Sequence, residues 1–112
     1  MDKSALVAEL KGAFDHIDKE GTHVEGVWLI PAHTIFRNDA YVVVVATPDL
    51  AMVGTRTKIE AISQKLDHLL SGNAVRQVQQ VWVFDDPEQA RKRIESEDVA
   101  EFVIPIVEPA HA

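Results

Sequence analysis

Apolar residues recur along this chain with two different periods, and the switch between them predicts alternating helices and strands. Leu6, Leu10, Phe14 and Ile17 stand four, four and three residues apart, on one face of a helix over residues 4–19. Asp2 or Ser4 is placed to cap its start, and Gly21 to end it, because glycine accepts the left-handed conformation of a helix stop. Val24, Val27, Trp28, Leu29 and Ile30 predict a strand over 23–30 that Pro31 ends. Residues 32–39 read as a connection, with a short strand at Thr34-Ile35-Phe36 as an option and a turn at Arg37-Asn38-Asp39.

Tyr41 to Ala46 breaks the alternation. Its four consecutive valines put apolar side chains on both faces of a strand, which suits the middle of a sheet. A second helix is predicted from Lys58 to Leu70, with Thr57-Lys58-Ile59-Glu60 as a capping box and Ile59, Ile62, Leu66, Leu69 and Leu70 as its buried stripe. Ser71-Gly72-Asn73 should end it.

A strand over 77–84 follows, with Val78, Trp82 and Phe84 on one face and Val81 and Val83 on the other. Asp86-Pro87-Glu88-Gln89 opens a short helix, with aspartate at the cap and proline at the first helical position. That helix offers only Ala90 and Ile94 inward. A last strand is predicted over 100–107. Pro105 lacks a ladder donor and points to an edge position. Residues 108–112 should form a frayed tail.

The predicted order is αββαβαβ, in one α/β (or α+β) domain over residues 1–112: a single mixed sheet of four to five strands with helices packed on it. The first two strands are expected to be antiparallel. The later β–α–β alternation implies crossovers between parallel strands. A rearranged ferredoxin-like α+β sandwich is the alternative. No internal repeat or linker divides the chain.

Composition narrows the function classes. The chain has 112 residues, 46% of them hydrophobic, enough for one core but not two. It has no cysteine, so disulfides, thiolate metal sites and cysteine nucleophiles are excluded. The formal charge of −7 argues against nucleic acid and anionic membranes as partners. No signal-like start and no apolar run of spanning length occur, so a cytoplasmic location is expected.

Candidate chemistry follows from the topology. Ligands of open α/β sheets tend to sit beyond the carboxyl ends of the strands. The valine strand exits at Thr47-Pro48-Asp49 and the third strand at Asp85-Asp86. If those strands are parallel, Asp49, Asp85 and Asp86 share a rim suited to a hard cation. Asp86 is also a helix cap and Pro48-Asp49 an ordinary turn pair, so each has a structural role as well. The Asp85-Asp86 pair resembles the acidic pocket of response-regulator receiver domains. The resemblance stops there, because those pairs follow the first strand and a lysine follows the last, whereas this last strand exits at Glu108 without one.

Gly54-Thr55-Arg56-Thr57 precedes the second helix and offers free N–H groups with Arg56 as an anion clamp, but lacks the glycine and lysine pattern of a phosphate loop. No histidine pair has helical ligand spacing; His16, His23 and His68 read as surface residues, and His33, in the strand connection, is the one placed to carry function. Arg91-Lys92-Arg93 alternates with Glu88 and Glu95 on a solvated helix. No nucleophile motif, cofactor or metal site is expected. The leading expectation is a non-catalytic binding or regulatory domain acting through protein contacts, as a homodimer or with another protein. The homodimer follows from more two-faced strands than the helices cover. The alternative is a small enzyme or ligand-binding protein with a cation or phosphate site formed by Asp49, Asp85 and Asp86 with Arg56.

Overall fold

The structure is a computed structural model, and it describes residues 2–32, 40–50, 54–97, 99 and 102–108. Helix α1 (Lys3–Lys19) leads into strands β1 (Gly26–Pro31) and β2 (Tyr41–Ala46), then a single 3-10 turn at Pro48–Leu50. Helices α2 (Thr55–Leu69) and α3 (Gly72–Gln77), strand β3 (Val78–Phe84), helix α4 (Pro87–Ser96) and strand β4 (Ile104–Val107) complete it. The four strands form one mixed sheet in the order β3-β2-β1-β4. β1 runs antiparallel to both β2 and β4, while β2 and β3 are parallel. No described helix is long and apolar enough to cross a membrane.

The valine strand lies inside the sheet, as its pattern predicts. Val43 and Val45 face α1 and α2, packed with Leu6, Leu10, Phe14, Ile17, Ile62 and Leu66. Val42, Val44 and Ala46 face the other way, onto Trp28, Ala90 and Ile94. Helices therefore cover both faces, unlike a ferredoxin-like sandwich. The cover is unequal: among the described helices α4 alone lies on the second face, through Ala90 and Ile94. Trp82, Phe84, Ala32 and Val103 there are only partly buried, and Phe102 is 56% exposed.

Local chemistry explains the helix ends. Asp2 caps α1 by accepting the Ala5 N–H at 2.8 Å. Gly21, at φ 114°, ends it; Gly21 N–H donates to Asp18 and Thr22 N–H to Ile17, satisfying the last carbonyls. Asp86 caps α4, with Pro87 first in the helix.

Several details differ from the sequence reading; β1, for one, starts at Gly26 rather than 23 and includes Pro31. Helix α2 begins at Thr55 with Gly54 as its cap, so Thr57 lies inside it and forms no capping box. Leu69 is 36% exposed rather than part of the buried stripe. Ser71-Gly72-Asn73 ends α2 but also starts α3: the Ser71 hydroxyl accepts the Ala74 N–H, and Glu9 from α1 takes both the Ser71 N–H and hydroxyl. Finally, Val78 packs with Val81 and Val83, not with Trp82 and Phe84. β2 pairs Tyr41 with Val78 but Val42 with Gln80, so Gln79 is an extra residue that reverses the facing of what precedes it.

Pro105 sits on edge strand β4, as its missing donor requires. β4 is shorter at its start than the 100–107 expected, with Phe102 in a 3-10 turn. The optional strand at Thr34–Phe36, and the tail beyond Glu108, lie outside the described residues.

Candidate functional site

Parallel β2 and β3 deliver their exits to the same rim. Ala46 is in register with Phe84, and the Thr47 N–H continues the ladder onto the Phe84 carbonyl at 2.9 Å. Asp49 and Asp85-Asp86 therefore emerge at one end of the sheet. Each of the three carboxylates is engaged there. Asp85 accepts from Lys58 Nζ at 2.6 Å, and Lys58, near the start of α2, is only 8% exposed. Asp49 accepts the His23 backbone N–H at 2.5 Å, pinning the loop that enters β1. Asp86 is spent on the Gln89 N–H.

Three further contacts, from Thr47 and Asp18, hold the same loop. The buried Thr47 hydroxyl donates to the His23 carbonyl at 2.6 Å. Asp18 accepts from the Val24 N–H and contacts the His23 ring, each at 3.1 Å. The Val24 N–H, and then His23, hold the Asp18 carboxyl below its ordinary value near 3.8. A lowered carboxylate value stabilises the fold above the ordinary value and loses that contribution as pH falls through the folded one.

The rim thus works as a fastening between the end of α1, the entry to β1 and the exits of β2 and β3. Among the described residues no group of three His, Asp or Glu side chains is placed to hold a metal ion. Arg56 is not a clamp at the front of α2. It sits in the first helical turn and pairs with Glu60 at 3.2 Å, fully in solvent. Lys58, which sequence reasoning passed over, is the cation that reaches the rim. Its partner lies 27 residues away, so no local pattern marks it. His33 lies outside the described residues. His16 pairs with Glu20 on the surface of α1, as a surface histidine should.

The less occupied chemistry is at the other edge of the sheet. Among the described residues, β3 has a strand neighbour on one side only. Its sequence, Val-Gln-Gln-Val-Trp-Val-Phe, has neither charge nor proline, two of the devices that usually protect a sheet edge; the extra residue at Gln79 is a third, confined to its start. β4, the other edge, is four residues long and carries Pro105. A groove of about 340 Å³ runs beside the second half of β3, lined by Ile59 of α2, Arg93 of α4, and Trp82, Val83 and Phe84. Arg93 lies over the Trp82 ring, 4.7 Å from its centroid, and also pairs with Glu97. Trp82 Nε1 donates to Gln80 Oε1 at 3.0 Å. The basic run is thereby divided: Lys92 pairs with Glu88 in solvent, while Arg93 stacks on the sheet.

The ladder fixes which backbone groups the edge offers. Because the Phe84 carbonyl bonds to β2, the even-numbered residues of regular β3 turn their N–H and C=O inward. Val81 and Val83 therefore turn theirs outward. No family model matches this chain, and no curated protein and no solved structure matches it.

Proposed function

We propose that this chain is a non-catalytic interaction domain acting through protein contacts as a homodimer, with the open edge of β3 as its contact. The observation that carries this reading is an edge strand with outward backbone groups and, over its regular stretch from Gln80 to Phe84, neither charge nor proline. Two further features support it. The segment 78–84 is uncharged, so an acidic chain can meet a second copy there without opposing like charges. The half-covered aromatic side of the sheet continues into that edge through Trp82 and Phe84.

Light scattering should show a dimer at tens of micromolar. Trp28 is already 6% exposed, so a blue shift of tryptophan emission with concentration reports Trp82. The exposed pair Gln79→Lys and Gln80→Lys places four charges at a symmetric junction and should shift the protein to monomer with its melting temperature at high dilution unchanged. A wild-type chain that stays monomeric at high micromolar concentration ends the proposal.

The second reading, ligand binding at the rim, is favoured by the shared exit of β2 and β3. Engagement of all three carboxylates weighs against it. A thermal-shift series with Mg²⁺, Mn²⁺ and inorganic phosphate should show no change, because a ligand specific to the folded state must raise the melting point. A saturable rise abolished by Asp85→Asn would move the function to the rim.

A further inference from the structure

We infer that the second copy pairs antiparallel along β3 about a two-fold axis at Trp82, giving one continuous eight-stranded sheet. This rests on the proposed homodimer and specifies its contact. A two-fold axis perpendicular to the sheet makes the pairing self-complementary, with the same residues contributed by both chains. Registers centred on Val81, Trp82 and Val83 use the outward backbone groups, but the last sets Val81 opposite Asp85, beyond the end of the strand, which leaves the first two.

The irregularity at Gln79 decides between them. An axis at Val81 needs Gln79 opposite the partner's Val83, and Gln79 is the residue that the ladder to β2 skips. An axis at Trp82 uses only the regular stretch from Gln80 to Phe84. Val81 then exchanges both backbone bonds with the partner's Val83, and Val83 with the partner's Val81. Trp82 meets its own copy in the closer, non-hydrogen-bonded position, where aromatic pairs contribute most. Gln80 falls opposite the partner's Phe84 on the same face. The groove between Ile59 and Arg93 receives the incoming strand.

A standard interface takes about 800 Å² from each partner, roughly an eighth of the 6705 Å² surface of this chain. Val81 and Val83 are each only 7% exposed, so the second copy must take most of that area from Gln80, Trp82, Phe84 and the flanks of α2 and α4.

The absence of native cysteine makes the register directly readable. Gln80→Cys combined with Phe84→Cys places thiols opposite each other at about 4.5–5.5 Å between Cα atoms, within disulfide reach. Mild oxidation should give a covalent dimer, and neither single variant should. A nitroxide on Gln80→Cys alone keeps Phe84 and gives a second measurement. An axis at Trp82 sets the two Gln80 Cα atoms about 14 Å apart, whereas an axis at Val81 sets them about 8 Å apart. A dimer with the shorter spacing and no cross-link overturns the register and leaves pairing through β3 standing. A dimer with neither dipolar contact nor cross-link overturns β3 pairing itself. Association only with a different protein, never with itself, overturns both.

Discussion

Phe14→Ala should remove about 3–5 kcal/mol of stability, the range measured when a buried aromatic becomes a cavity. Phe14 is 1% exposed and lies in the larger of the two cores, where α1 meets the sheet and α2. That core gathers residues from separate elements: Leu10 and Ile17 from the same helix, Val27 and Leu29 from β1, Ile106 from β4. Backbone strands cannot collapse inward to fill the space that the ring leaves, so the cavity term adds to the lost transfer energy. A domain of this size commonly has 5–15 kcal/mol in total, so the variant should be largely unfolded at modest urea. Leu69→Ala is the control: it lies on the helix stripe by sequence but is 36% exposed, and it should cost under about 1 kcal/mol. Unfolding free energies of the two variants from urea titration that differ by less than about 1 kcal/mol would show that α1 does not hold the sheet in the way its packing implies.

Phe14 and Leu69 also show how much of the fold was legible. Periodicity finds a helix's apolar stripe, but not which end of it reaches the core. Phe14 sits mid-helix over the sheet; Leu69 sits at the last turn, where α2 leaves the sheet and Glu9 holds the following turn. The valine strand was readable because uninterrupted valines suit only a position covered on both faces. Pro105 marked an edge because a missing donor is a local fact. The capping box at Thr57 misled, since Thr-x-x-Glu also occurs inside helices and the true cap, Gly54, has no side chain to signal with.

What could not be read was non-local. The shared rim depended on β2 and β3 being parallel neighbours, which the alternation of strands and helices allowed but did not decide. The ion pair between Lys58 and Asp85 that fills the rim joins residues 27 apart and depends on α2 crossing back over the sheet. β3 has no charge or proline, which is plain in the sequence, but this becomes a statement about association only once the strand order places β3 at an edge. A strand covered on both sides would have the same composition.

Gly26→Ala should destabilise the second core by about 1–3 kcal/mol, through overpacking rather than backbone strain. A Cβ on Gly26 would stand 2.6 Å from Trp28 Cη2 and 3.1 Å from Cζ2 and Cζ3, so the indole lies against the glycine backbone. Two residues apart on β1, they share the face that α4 covers. The indole is 6% exposed among Ile30, Val44, Ala90 and Ile94, so a new methyl group must displace a packed ring rather than a mobile chain end. Glycine is otherwise a poor strand residue, and its use here follows from the tryptophan. The two substitutions should therefore couple. Trp28→Leu alone should be costly through its cavity, but Gly26→Ala in that background should cost nothing or stabilise, since the methyl enters vacated space and alanine suits a strand better than glycine. The cycle is read from urea unfolding of the four proteins, with a coupling above about 1 kcal/mol expected for residues in direct contact. Simple additivity would mean that the indole does not depend on the bare backbone at Gly26. Coupling would show that the thinly covered face of the sheet has its own tight packing under α4, beside the partly buried Trp82 and Phe84 at the edge where the second copy is expected.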